Sequence, residues 1–474
     1  MTDSQILYNT VIKNGYCIGC GACASIDNSP FKIKMDEFGN FIAYSSEEEM
    51  ASSEVKLLEV CPFSGESKNE DELGEIIFPD NPNRNNKLGK YIACYAGFVN
   101  DGEFRAKGSS GGMGKWLGYI LLQENEIDYF IQLVPNNSKN SSKPLFDYKI
   151  FSKNDDIITG SKSAYYPSTL TEVLDKINII EGRYAITGVP CFIKALRLLA
   201  NESPVLKERI KYTIGIVCGG MKSANQAKMI GWQLGVHPND LTAIDFRRKY
   251  SDRPASQKIY QVWSKNDNIE RFENANNLFG TDYGSGFFKP LACDFCDDVV
   301  AETADISFGD AWIPRYRNDP KGTSLIIVRN EKLLNLLKIN NENKSLYLDE
   351  ITINEAITSQ AGGFRHRRDA LSYRIEKKEA VVEWYPSKRV KANDYQLSKS
   401  RKKIYDLREE IASQSHSSFL RAIKKDDLNL FYTEMNPLVK KYKIANDGSL
   451  PNQLLTKLRG RLIRMVNVLK GSIV

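Results

Sequence analysis

The spacing of the cysteines constrains this chain more than any other feature. Cys17-Ile-Gly-Cys20-Gly-Ala-Cys23 is a C-x2-C-x2-C run, and Cys61 stands before Pro62. Three thiolates so spaced wrap one 4Fe–4S cube, and the intervening glycines let the backbone turn its amide N–H groups toward the sulfides. In a two-cluster bacterial ferredoxin the run C-x2-C-x2-C-x3-C-P occurs twice, and each fourth cysteine serves the other cluster. Here the fourth place of the first run is Asp27. Counted back from Cys61, the remaining places of the second run hold Leu57, Glu54 and Ala51. All four ligands of one cluster are therefore missing and all four of the other are kept, as clean loss of one centre would leave them. Zinc is the competing ligand, but zinc sites usually pair C-x2-C units rather than run three cysteines together.

A second set lies further along: Cys191 in Gly188-Val-Pro-Cys191, Cys218 in Val217-Cys-Gly-Gly220, and the pair Cys293-Asp-Phe-Cys296. Cys191 is expected to open a helix after a strand, and Cys218 to end the next strand. Adjacent strand ends of an α/β sheet share one edge, where sites gather. Spacing alone leaves a second cluster, zinc and core packing all open for this set. Cys94, in Ile92-Ala-Cys-Tyr-Ala-Gly97, is expected to pack in a strand.

Nine cysteines are an odd number, and the amino-terminal MTDSQILYNTVIKNG has neither the basic start nor the apolar run of a secretion signal. A disulfide framework is therefore not expected, and the reading is a cytoplasmic protein with reduced thiols. No stretch approaches the ~20 apolar residues of a membrane span. At 42% hydrophobic and 10% aromatic residues, the chain can build real cores.

Four regions are expected. Residues 1–70 form a ferredoxin-like single-cluster module, and Asp80-Asn-Pro-Asn-Arg-Asn-Asn86 an irregular linker. Residues 91–330 alternate apolar strands (Tyr129–Val134, Tyr184–Thr187, Tyr212–Val217, Leu325–Val328) with helices (Trp116–Glu124, Leu170–Ile177, Cys191–Ala200), a mixed α+β or α/β body. Residues 331–384 continue it, and 385–474 read as helical and basic. From Leu371 onward there are 22 Lys and Arg against 11 Asp and Glu, so the positive charge sits in the tail. Leu454, Leu455, Leu458, Leu462, Ile463 and Val466 recur at helical spacing among Lys457, Arg459, Arg461 and Arg464. That helix either packs on the body or meets an anionic membrane or a partner protein. Nucleic acid is not an expected partner, and a homo-oligomer is left open.

In the order in which they stand, these motifs resemble the beta subunit family of the deazaflavin (coenzyme F420) hydrogenases and dehydrogenases. Plant 7-hydroxymethyl chlorophyll a reductase and bacterial members near polysaccharide gene clusters belong to that family. The resemblance rests on the ferredoxin-like start, Ser109-Ser-Gly-Gly112, Gly160-Ser-Lys162, Gly188-Val-Pro-Cys191, Cys218-Gly-Gly220, Cys293-x2-Cys296 and Asp305-Ile-Ser-Phe-Gly-Asp310. It implies a second 4Fe–4S cluster on Cys191, Cys218, Cys293 and Cys296, and a bound FAD. Two positions depart from the family: Ser163-Ala-Tyr-Tyr follows Lys162 where an aromatic usually stands, and Gly-Gly follows Cys218 in place of His-Gly.

Given a flavin, Lys107, Ser109, Ser110, Gly111 and Gly112 precede a helix whose free N–H groups suit a pyrophosphate or the reduced ring edge. An ordinary serine cap is the plainer reading of that loop. Lys162 is expected to bond the flavin or its phosphates, Gly309 and Asp310 the ribityl chain or a ribose, with Gly188 and Pro190 lining the same site. No catalytic residue is assigned. With only His237, His366 and His416, catalysis built on several histidines is not expected. His366 lies in Gly362-Gly-Phe-Arg-His-Arg-Arg368, read as a basic loop that either faces solvent or holds an anion. No G-x-G-x-x-G or P-loop sequence is present.

The expected function is an electron relay between a ferredoxin-type donor, two 4Fe–4S clusters, FAD and an organic substrate, in either direction. The alternatives are an electron-transfer subunit serving a separate catalytic partner, and a zinc-stabilised binding protein.

Overall fold

In the computed structural model, residues 1–136, 143–153, 155–250 and 254–447 are described. Eight strands make the central sheet: β1 Ala93–Val99, β2 Tyr129–Pro135, β3 Phe146–Phe151, β4 Tyr184–Gly188, β5 Ile210–Ile216, β6 Ile306–Asp310, β7 Ser324–Val328 and β8 Leu346–Glu350. Their order is β8-β1-β7-β6-β5-β4-β2-β3. Strands β2, β4, β5 and β6 are parallel neighbours, so their carboxyl ends meet at one edge. β7 returns antiparallel and sets Ser324 opposite both Asp310 and Gly97, at that same edge. Leu325-Ile-Ile-Val328 is buried at every position, the continuous apolar run of a strand covered on both faces.

Helices α1 Met113–Gln123, α2 Thr171–Ile179 and α3 Pro190–Glu202 cover the sheet. Pro190 opens α3, where its missing N–H costs nothing and its fixed φ suits a helix. The helix read from Trp116 begins three residues earlier, because Gly112 takes the left-handed conformation (φ +84°) that lets the chain turn into it. Asp80–Asn86 is not an irregular linker throughout. Asn83–Asn85 pairs antiparallel with Gly89–Tyr91, and the Asn85 side chain accepts from the Lys87 N–H at 2.9 Å to close the turn.

The amino-terminal segment has a helix, Asp3–Leu7, capped by Thr2 and Gln5, and a hairpin of Lys32–Met35 with Phe41–Tyr44. Its Leu7, Val11, Tyr16, Leu57 and Val60 share one core with Leu174, Ile177, Phe192 and Leu196 of α2 and α3. A three-stranded antiparallel sheet (Leu241–Arg248, Ile259–Ser264, Arg271–Asn274) flanks the body. Helices α4 Ala370–Ala380, α5 Lys399–Lys425 and α6 Leu428–Asp447 follow. α5 and α6 place Ile411, Phe419, Phe431 and Met435 in one core with Phe246, Phe287 and Phe288. The helix expected over Leu454–Val466 lies outside the described residues. Among the described residues, no helix is long and apolar enough to cross a membrane.

Candidate functional site

The C-x2-C-x2-C run folds as a loop that ends in a single tight turn, Ala22–Ala24. Gly21 stands at φ +94°, and a Cβ there would lie 2.5 Å from the Thr171 hydroxyl. Only glycine therefore lets this loop seat on the start of α2, where the Leu170 N–H donates to the Cys20 carbonyl at 3.0 Å. Cys17, Cys20, Cys23 and Cys61 come together. Burial pushes the Cys20 thiol up to about 12, and raises Cys23 further with help from the charges of Cys20, Cys17 and Cys61. The Ala43 N–H points at the Cys17 sulfur at 3.4 Å.

The second set gathers at the sheet edge. Cys191 sits in the first turn of α3, Cys218 just beyond β5, and Cys293 and Cys296 in a helical turn at Leu291–Phe295 and the residue after it. Burial raises Cys191, and the charges of Cys296, Cys218 and Cys293 add to it, followed by that of Cys20 from the first set. The two groups are therefore neighbours. Backbone N–H groups of Gly220 and Met221 reach the Cys218 and Cys293 sulfurs, each at 3.3 Å. Cys94 is buried in β1, as its strand pattern implied.

Among the described residues, no three His, Cys, Asp or Glu side chains converge on a single-ion position. The thiols instead share two buried neighbourhoods fringed by N–H donors. Four thiols side by side, with Cys20 and Cys293 buried and the others half-buried, cannot all ionise without a strongly positive guest, so the donor set fits an iron–sulfur centre.

The loop before α1 lies at the same edge. Ser110 donates to the Thr323 carbonyl at 2.7 Å, and the Gly111 N–H donates to the Ser324 hydroxyl at 3.0 Å. Neither serine caps α1; no side chain does, so the first-turn N–H groups keep their polarity for an anion. Lys107 is exposed at the far end of the loop. Gly309 crosses Val217 closely, a Cβ there meeting it at 2.7 Å. Gly188 and Pro190 go with Cys191 at the mouth of β4, on the thiol side of the edge.

Lys162 departs from its expected role in one respect. Its ammonium is already engaged, with Asp245 at 2.7 Å and the Arg247 carbonyl at 3.2 Å. It therefore braces the strand that carries Arg247. Arg247 is the residue sequence reasoning missed. Its guanidinium bonds both oxygens of Asp310 at 3.1 Å, the Ser109 carbonyl at 3.0 Å and the Tyr165 hydroxyl at 3.3 Å. Burial alone would raise Asp310; Arg247 outweighs it and holds the carboxyl low. Arg247, Lys249, Lys258 and Ser109 line a narrow cleft. Burial, with the charges of Lys162 and Arg247, brings Lys249 down to about 7. Burial pushes the Tyr165 phenol up, but Lys258 at 3.0 Å and Arg247 reverse the shift downward. The Tyr165 ring lies 5.2 Å from that of Tyr283, whose hydroxyl donates to the Gly220 carbonyl beside Cys218. Two tyrosines thus bridge the second thiol group and the loop before α1. The Arg247-Arg248-Lys249 run was the available signal.

Gly362–Arg368 is not a loop. Ala361–Phe364 is helical and continues through a wider turn, Arg365–Asp369, into α4. Gly363 serves packing, since a Cβ there would stand 3.0 Å from Val299, whereas a Cβ on Gly362 would meet nothing within 4 Å. His366 is buried with Asp294, Lys289 and Arg374, and burial holds it well below the ordinary histidine range.

The loop makes one sharp prediction. A Cβ on Gly111 would stand 2.5 Å from the Gly97 carbonyl. Gly111→Ala should therefore cost about 1–3 kcal/mol of stability, measured by urea unfolding. A variant as stable as the parent would mean the loop is not seated on β1.

What the site presents is a mixed sheet with two groups of thiols and a set of basic side chains gathered on one edge. The comparisons make this specific. The chain matches the amino-terminal part of the coenzyme F420 hydrogenase/dehydrogenase beta subunit over residues 94–175 and its carboxy-terminal part over 181–354. It belongs to that family. It is 23% identical over 339 residues to the coenzyme F420-dependent sulfite reductase of Methanocaldococcus jannaschii, covering 68% of this chain and 46% of that protein. The chain thus spans about half the length of that curated relative. Among solved structures it resembles a chain of the F420-reducing NiFe hydrogenase complex from Methanosarcina barkeri, at 16% identity and a TM-score of 0.48, covering 63% of this chain and 96% of that one.

Proposed function

We propose that the chain is an iron–sulfur flavoprotein oxidoreductase relaying electrons between a ferredoxin-type donor and an organic substrate. Cys17, Cys20, Cys23 and Cys61 would hold one 4Fe–4S cluster, and Cys191, Cys218, Cys293 and Cys296 the second. FAD would lie against Ser109–Gly112 and Gly309–Asp310. Bound together, clusters supply single electrons and a flavin pairs them into a hydride. The observation that carries the reading is the adjacency of the two thiol groups, which share one core: Cys20 and Cys293 are buried in it, and Cys17, Cys23, Cys61 and Cys191 pack against it.

The chain's own residues have distinct tasks in this reading. The N–H groups of Ala43, Gly220 and Met221 offset sulfur charge. Arg247 fixes Asp310 and the Ser109 carbonyl, and the uncapped start of α1 offers its N–H groups to a phosphate or ring edge. Tyr165, flanked by Lys258 and Arg247, is placed to hold a proton beside the cleft.

A second reading has one observation in its favour. The chain covers only 46% of its sulfite reductase relative, so the substrate chemistry can belong to a separate partner that this chain feeds. Anaerobic purification with iron, sulfide and flavin quantification tests the core claim. About eight irons and one FAD per chain are expected; a colourless protein holding zinc would end it. Turnover of a small substrate by the single chain with a chemical donor separates enzyme from subunit.

A further inference from the structure

Arg367 is the one feature of the second thiol group that the ligand set does not explain. It lies at residue 367, beyond the segment of the chain that matches the family, which ends at residue 354. The side chain is only 1% exposed. Its Nη2 lies 3.7 Å from the Cys218 sulfur, and Cys296 and Cys293 are the other groups that bear on it. Its Nε and Nη1 are buried without any hydrogen-bond partner.

Other buried arginines on this stretch behave differently. Arg368 reaches Glu302 at 3.2 Å, and Arg374 reaches Asp294 and Glu409, each at 2.9 Å. Among the described residues, no carboxylate lies within ion-pair distance of Arg367. A guanidinium is always charged, and burying that charge without a partner is costly. Something anionic must therefore offset it, and among the described residues the groups that bear on it most are the sulfurs of Cys296, Cys218 and Cys293. Two unused N–H directions remain on the same fork.

We propose that Arg367 is the counter-charge of the second cluster, its positive charge raising that cluster's reduction potential. This rests on the second cluster proposed above. Reduction adds one electron, drawn from an external reductant, and with it one negative charge to the centre. A fixed cation at close range stabilises that reduced form more than the oxidised one. Arg367 is a positioning and tuning residue here; it supplies no ligand atom.

The test compares the parent chain with Arg367→Gln and Arg367→Lys, purified anaerobically. Iron per chain is measured, and each cluster is titrated with dithionite under electron paramagnetic resonance. The expected result is full iron in both variants and a lower midpoint for the second cluster alone in Arg367→Gln. The oxidised-to-reduced ratio at fixed potential should change tenfold or more, which is about 59 mV for one electron. Arg367→Lys, which keeps the charge, should fall between. Selective loss of second-cluster iron in Arg367→Gln, with Arg367→Lys retaining it, equally supports the proposal. Unchanged midpoints in Arg367→Gln would overturn it. So would loss of second-cluster iron in both variants, which would mark packing rather than charge. A parent chain without a second cluster would instead defeat the reading on which the proposal stands.

Discussion

Replacing Cys218 by alanine is expected to halve the iron of the anaerobically purified chain, from about eight atoms to about four. The resonance of the first cluster should survive, because Cys17, Cys20, Cys23 and Cys61 sit in a different loop. Their fold is fixed by α2 and by the core shared with Leu7 and Leu57. Passage of electrons from an external donor to the flavin should fall by at least about 100-fold, since even a residue one layer behind a metal ligand typically costs about 10- to 100-fold. Cys94→Ala is the matched control. Cys94 is more deeply buried than Cys218, but it pairs with Ile327 inside the sheet, so its variant should keep all its iron. Stopped-flow absorbance with iron quantification checks both. Equal iron in the two variants would show that burial, not ligation, governs the second cysteine set.

The gathering of Cys17, Cys20 and Cys23 was legible because their spacing is a local property, and the loop that carries it must turn within a few residues; the second set, spread from Cys191 to Cys296, was left open by spacing alone. The sheet was legible for a similar reason: Leu325–Val328 is a continuous apolar run suited to a doubly covered strand, and Tyr129–Val134 and Tyr184–Thr187 are short, mainly apolar runs of good strand formers. What stayed hidden depends on long-range return of the chain. Arg247 and Tyr165 are 82 residues apart, yet they hydrogen-bond at the loop before α1, and no local pattern announces that meeting. Gly362-Gly363 reads as a breaker by composition, whereas at Gly363 contact with Val299 favours glycine inside a helix. Arg367 and Arg368 read as part of a basic loop that either faces solvent or holds an anion; they are buried in a helical stretch where thiols and Glu302 meet them. Asn83–Asn85 was misread for the same reason, since its strand partner Gly89–Tyr91 supplies the order that an asparagine-rich composition lacks.

The largest loss of stability should follow Arg389→Met. This guanidinium joins three separate stretches of chain: Glu302 at 2.7 Å and Asp297 at 3.3 Å from the body, and Glu70 at 3.5 Å from the helix Glu70–Ile77. Side-chain exposures are 9% for Arg389, 1% for Glu302, 2% for Asp297 and 6% for Glu70. Among the described residues, removing the cation leaves Glu302 paired with Arg368 and Glu70 with Lys194, and Asp297 without an ion pair. Breaking a buried pair from one side costs about 3–5 kcal/mol, because the abandoned charge stays buried. The pH dependence carries a sign that packing loss would not share. Asp297 is buried, yet Arg389 and the nearby cations hold its carboxyl far below the usual range. A depressed carboxyl contributes stability that is fully present above its unfolded pKa of about 4 and is lost as pH falls toward the folded value. The deficit of Arg389→Met should therefore be greatest near neutrality and shrink below about pH 4. Guanidinium unfolding of both proteins at pH 7 and pH 3.5 measures it. A deficit under about 1 kcal/mol at pH 7, or one of the same size at both pH values, would show that Arg389 serves the fold through its aliphatic stem and not through its charge.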